Sequence, residues 1–289
     1  MDAATNRQLR NLDRRLQAIF NAAYQQAIEN EKNAIAKFAA FAQADHSDLT
    51  ETQLRTAWNN YRLQVERTTG IVNNIAADMA NSGKLAARMI EGDKLNVFDI
   101  GYRNSLTSID RQLGFNVQWS IYDKNQLTAL LMEQDKSPFT QIAYNRLGKQ
   151  APIVTHLQNE LAQAVMLGEG IPGINRRIRN VADMSYKQAQ RIARTETLRV
   201  ANQGRMIGFR QAANEYGIEM FKQWISTMDE RTRDTHVDMH MEKAELDEPF
   251  SNGLMEPLDP DGSPEETINC RCVVVAILKD IKEKQVYRV

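Results

Sequence analysis

From Leu9 onward the apolar positions run Leu12, Leu16, Ile19, Phe20, Ala23, Tyr24, Ala27, Ile28, Ile35 and Phe38. Steps of three and four residues lay them along one helical stripe. They predict a long helix over about residues 5–44. Thr50-x-x-Gln53 has the form of a capping box. Behind it Leu54, Trp58, Tyr61 and Val65 make a second stripe, which Gly70 is suited to stop. A third segment, 71–90, is expected to end at Glu91-Gly92-Asp93, with further helices over 98–114 and 124–135 and a break at Ser137-Pro138. Residues 1–150 therefore read as an almost wholly helical region.

Gly168-Glu-Gly170-Ile-Pro172-Gly173 closes a helix over 152–167. A short basic helix over 174–181 and a long one from Ser185 to Tyr216 follow. Ala189, Ala193, Val200, Gly204 and Gly208 share one face of the latter, and such small side chains admit a second helix closely. After Gly217 the pattern changes. Met220–Thr227 and Cys272–Leu278 read as strands that pair, with a short helix near Asp229 and a Pro/Gly/Asp-rich loop over 247–264 between them. The fold class is mainly α: a helical region over 1–150, a central basic helical segment over 151–216, and a small α+β unit over 217–289 closed by a hairpin-like strand pair.

The 289 residues exceed one small core. No stretch of ~18 apolar residues is present to span a membrane, and the first residues lack the apolar core of a secretory signal. Charge is uneven along the chain. Residues 174–212 carry nine Arg or Lys against two acids, and 214–270 carry fifteen acids against four bases. Such blocks suit an anionic partner on one side and a basic one on the other, or neighbouring elements that attract each other. The cations Arg176, Arg177, Arg179, Lys187, Arg191 and Arg199 are candidates for tracking a phosphate backbone, although they occupy several helical faces and few aromatics accompany them.

The candidate chemistry is concentrated near the end of the chain. Both cysteines, Cys270 and Cys272, stand one residue apart, and His236 and His240 precede them. A disulfide across one residue is strained, which favours assembly in a reducing cytoplasm. Histidines at i and i+4 share a helical face and cysteines two apart share a strand face, so the four can complete a tetrahedral structural zinc site. The alternative is two small buried thiols beside surface histidines. Asp229 is suited to cap the following helix, and Arg231 and Arg233 to pair with the acidic loop or to hold a phosphate. No nucleophile elbow, P-loop or H-E-x-x-H accompanies them.

Taken in order, Arg194-Thr195-Glu196, Asn202-Gln203-Gly204, Trp224, Asp229-x-Arg231-Thr232-Arg233-x-x-His236, Phe250, Pro257, Asp259-Pro260 and Ile268-Asn269-Cys270-Arg271-Cys272 resemble the phage Mu protein F-like family of minor head, or head-morphogenesis, proteins of tailed phages. The resemblance covers about residues 152–280. It implies a virion component rather than an enzyme, carried in the phage head interior after assembly in the host cytoplasm. Its implied partners are the portal protein, the major capsid or scaffold protein, and double-stranded DNA, with no membrane. Family members often have glycine near the position of His240, which leaves His236, Cys270 and Cys272 as the matching metal candidates. Some relatives carry enzyme domains beyond the Cys-Arg-Cys; with the sequence ending at Val289, no such cargo is expected here. Two other readings stay open: a metal-dependent hydrolase or nuclease using Asp229, His236, Cys270 and Cys272, and a DNA-binding architectural protein.

Overall fold

In the computed structural model, residues 2–134 and 138–279 are described. The chain is mainly helical, with one small antiparallel sheet near its C-terminal end. In order the elements are α1 (Ala3–Asn30), α2 (Lys32–Ala42), α3 (Glu51–Thr69), α4 (Ile71–Leu113), α5 (Lys124–Gln134), α6 (Pro138–Leu147), α7 (Gln150–Met166), α8 (Ile171–Tyr216), β1 (Met220–Ile225), α9 (Asp234–Asp238), β2 (Lys243–Ala244), α10 (Pro264–Thr267) and β3 (Val273–Leu278). None of the described helices is long and apolar enough to cross a membrane.

The chain forms two compact units. One holds the described residues of 1–12, 90–141 and 191–289, the other 13–89 and 142–190. In the second unit, Phe38 packs edge-on against Trp58 with ring centroids 5.2 Å apart. Around them lie Ile35, Val65, Ile71, Ile75, Leu157 and Ile178. The Thr50 capping box forms as expected, and Gly70 ends α3 with a φ of 64°. That left-handed turn is open to glycine at little cost.

Several boundaries differ from the sequence expectation. The helix expected over 5–44 is broken at Glu31. This side chain is only 9% exposed and its carboxylate accepts a 2.8 Å hydrogen bond from Asn74. The breaks expected near Gly92 and Ser185 do not exist: α4 runs unbroken over 43 residues and α8 over 46. Gly92 faces open space and is tolerated as an ordinary helical residue. Residue 135 and Ser137 lie outside the described residues.

The first unit contains the sheet, in the order β2-β1-β3, both pairings antiparallel. Trp224 lies opposite Val274, and Lys222 lies opposite Ala244 on one side and Ala276 on the other. The pairing of β1 with β3 is the strand pair expected from the sequence. β2 has only two residues, too few to show an alternation. Trp224, fully buried, is the centre of this unit's core, edge-on to Phe250 at 5.4 Å and surrounded by Met220, Leu258 and Val274.

Two ionisable groups are enclosed in this unit. Lys222 is 0% exposed, with Nζ donating to the carbonyls of Met255 (2.7 Å) and Leu246 (3.3 Å) and lying 5.1 Å from the centre of the Phe250 ring. Burial pulls its pKa down to about 8, against the pull of Glu256, Asp247 and Asp259 and with that of Arg210. Burial, then the charge of Asp259, pushes Glu256 up to about 8, with Arg210, Lys222 and Arg199 opposing. From about pH 4.5 to 8 the unfolded chain releases the Glu256 proton while the fold keeps it, so this group makes stability fall as pH rises. The slope is at most roughly 1.4 kcal/mol per pH unit. From about pH 8 to 10.5 Lys222 works in the opposite sense, because the fold has already lost a proton that the unfolded chain still holds. Urea titrations of the wild type and Glu256→Gln between pH 5 and 7.5 test this. The wild type is expected to lose stability relative to the variant as pH rises; parallel curves would show that Glu256 does not keep its proton.

Candidate metal centre

The site is assembled from three short pieces of backbone. β1 ends at Ile225, and Ser226 follows. The chain then turns through Asp229, whose carboxylate accepts the Arg231 backbone N–H at 3.0 Å. Arg233, extended at φ −63° and ψ 145°, begins the single turn of α9 that carries His236. The third piece leaves α10 through Ile268 and Asn269. Asn269 takes a φ of 61°, a left-handed conformation that asparagine tolerates better than most residues, and delivers Cys270 and Cys272 to the start of β3.

Residues from α8 hold this turn. Thr195 Oγ1 accepts the Asn269 N–H at 2.9 Å, and Arg194 reaches the Asn269 side chain at 3.4 Å. Arg233 donates to the Ile268 carbonyl at 2.6 Å. Arg271 forms a two-pronged ion pair with Asp229, which holds the Asp229 carboxyl well below the usual carboxylate range. Asp229 was expected to cap the following helix; it pairs with Arg271 instead, and α9 begins five residues later.

His236 is 1% exposed, and Cys270 and Cys272 are 2% each. Nδ1 of His236 lies 3.5 Å from Cys270 Sγ and 3.4 Å from Cys272 Sγ. Its Nε2 lies 2.7 Å from a carboxylate oxygen of Glu266 on α10. The ring stands edge-on to Trp224 at 5.3 Å. Trp224 Nε1 donates to Ser226 Oγ at 3.1 Å, Ser226 Oγ donates to the His236 carbonyl, and Cys272 Sγ lies 3.6 Å from Ser226 Oγ. The imidazole is thus fixed on every side.

The three groups act on one another's charge. Cys272 is lowered, first by its hydrogen bond with Cys270, with burial opposing and His236 and Ser226 assisting. Cys270 is pushed up by the same shared contact and by burial. Burial disfavours the His236 cation, but hydrogen bonds and charge from Cys272 and Glu266 outweigh it and raise its pKa.

Of the four metal candidates, three converge: one ligand atom from each of His236, Cys270 and Cys272 lies within 4.8 Å of the others. His240 is not in the group. It follows the end of α9, and its Nδ1 accepts the Ser226 N–H at 3.2 Å. Glu266 was not singled out from the sequence, where it is one acid among many in its stretch and nothing in the spacing distinguishes it.

Several of the remaining residues singled out from the sequence have structural partners. Glu196 is buried between Arg199 (2.6 Å), Lys94 (3.4 Å) and Thr140 (2.9 Å). Arg199, 2% exposed in this network, has no face to offer a phosphate backbone, which corrects its assignment to a nucleic-acid surface. Arg177 is held by Glu160 and Glu169, and Arg179 lies over Tyr24 and donates to Asn21. Lys187 and Arg191 are exposed, as is Arg176, 3.8 Å from Glu169. Arg231 is exposed, 3.6 Å from Asp229.

Residues 155–275 match the model of the family described as phage Mu protein F like protein. The chain carries a Mu F-like segment. It contains His236, Cys270 and Cys272 together with the α8 residues that brace them. The chain is also similar to the minor head protein GP7 of Bacillus phage SPP1, with 24% identity over 211 residues, covering 72% of this chain and 66% of that protein. It is 26% identical over 227 residues to the NAD(+)–arginine ADP-ribosyltransferase EFV of Enterococcus faecalis, covering 76% of this chain and 45% of that one. The chain thus spans less than two thirds of either relative. No solved structure matches it significantly.

Proposed function

We propose that this chain is a minor head protein of a tailed phage, which docks on the portal or the inner capsid during assembly and acts by binding and positioning. The observation that carries this reading is the use made of the polar residues in the Mu F-like segment. Glu196 and Arg199 neutralise each other in the core, Asp229 pairs with Arg271, and Arg233 ties down the Ile268 carbonyl. These groups hold a fold together. The similarity to the SPP1 minor head protein supports the same reading. Contact with packaged DNA, a further part of it, falls to the exposed cations Arg176, Lys187 and Arg191.

Co-expression with the portal protein of the same genome tests the proposal. The two are expected to co-purify through gel filtration. A portal that elutes alone, with normal infectious heads when this gene is silenced, would overturn it. A second reading comes from the named activity of the Enterococcus relative. Incubation with NAD+ and an arginine acceptor is expected to release no nicotinamide above background; release would favour an enzyme.

A further inference from the structure

We propose that His236, Cys270 and Cys272 form a zinc centre with three protein ligands and a fourth position open to a water or small anion. Glu266 sits 2.7 Å from Nε2, where it accepts that N–H and leaves the Nδ1 lone pair pointing at the two sulfurs. A carboxylate behind a histidine is the usual support of a metal-bound imidazole. The spacing agrees. With Zn–S of about 2.3 Å and Zn–N of about 2.05 Å in a tetrahedron, nitrogen and sulfur lie about 3.6 Å apart. The two observed separations are 3.5 and 3.4 Å.

The set of three also separates this centre from a closed structural one, which has four protein ligands. Among the described residues no fourth His, Cys, Asp or Glu joins the group. Instead the three line a cleft of about 10 Å³ with Thr232, Arg231 and Arg233. That is room for about one water. Zinc with two thiolates and a neutral imidazole carries no net charge, so the neighbouring guanidinium groups favour water or a small anion at the fourth position. Loading replaces two protons of the His–Cys–Cys set by one Zn²⁺ and releases them to solvent. This proposal does not rest on the head-protein reading.

The full chain, purified under reducing conditions, is expected to hold about one equivalent of zinc. Glu266→Gln keeps all three ligands and is expected to lower zinc affinity about 10- to 100-fold in chelator competition, with an unchanged far-UV circular dichroism spectrum. Cobalt(II) substitution should give a thiolate-to-cobalt charge-transfer band and tetrahedral d–d bands, and added azide should shift the d–d bands. Zinc below about half an equivalent, or cobalt without a thiolate band, overturns the centre. Affinity unchanged in Glu266→Gln overturns the orienting role of Glu266. A cobalt spectrum indifferent to azide overturns the open position.

Discussion

Replacing Asn202 by alanine is expected to cost about 3–5 kcal/mol of stability, as several buried groups at about 1–3 kcal/mol each lose their partner. Asn202 lies on α8 and is 0% exposed. Its amide nitrogen donates to the carbonyls of Pro257 (3.0 Å) and Cys272 (3.2 Å). Its amide oxygen accepts the Val274 N–H at 3.2 Å and an Arg205 N–H at 2.8 Å. All four hydrogen-bonding positions of one side chain are filled. They join α8 to the 247–264 loop and to the first residues of β3. Alanine leaves two carbonyls, an N–H and a guanidinium N–H without a partner in a place water does not reach. Two of the orphaned groups flank the Cys272 backbone, so the variant is also expected to bind zinc more weakly than wild type. Urea denaturation by circular dichroism gives the first effect and chelator competition the second. A loss below about 1 kcal/mol, the scale of a single ordinary hydrogen bond, would show that the network is not a tie point.

What the sequence disclosed and what it withheld follow the same physical line. Local chemistry was legible wherever a residue acts on its own backbone: the Thr50 capping box and the left-handed glycines Gly70, Gly168 and Gly217 sit at helix ends as expected. Glycine was misleading where it does nothing local. Gly92 lies inside α4 because a single exposed glycine weakens a long helix without breaking it. The break at Glu31, where the backbone departs to a φ of −105° and a ψ of 11°, carries no Gly or Pro to announce it. In the candidate site, His236, Cys270 and Cys272 are legible from residue type and spacing. His240 was grouped with them on the i, i+4 rule, which needs a continuous helix. α9 ends at Asp238, and His240, beyond it, turns its Nδ1 to the Ser226 N–H and stays out of the cluster. Arg199 was read as a surface cation because its spacing does not reveal the burial of Glu196 beside it. Glu266, on α10, reaches His236 from 30 positions away along the chain. These are tertiary contacts, and no window of sequence contains them.

Gly204→Ala is expected to destabilise the chain by about 3 kcal/mol, the upper part of the usual overpacking range, although alanine is the better helix former by about 1 kcal/mol. A Cβ built on Gly204 lies 2.2 Å from the Phe98 carbonyl oxygen and 3.0 Å from the Tyr102 nitrogen. Both are backbone atoms of α4, so no side-chain rotation relieves the clash. Gly101 makes the reciprocal approach, its Cβ position 2.2 Å from the Ala201 carbonyl oxygen, and Gly208 meets Ser105 Oγ at 1.9 Å. The crossing is therefore glycine-lined from both helices, and one methyl group must push them apart. That shift would open the core around Phe98, Tyr102, Leu106 and Val200, and loosen the 2.6 Å hydrogen bond from Tyr102 to Gln211. Gly92→Ala is the internal control. It sits mid-helix in α4 with nothing within 4 Å of the new methyl, so propensity alone acts and a gain of about 1 kcal/mol is expected. The same substitution in two helical glycines should thus move the urea midpoint in opposite directions. A Gly204→Ala midpoint at or above wild type would mean that α4 and α8 do not approach this closely.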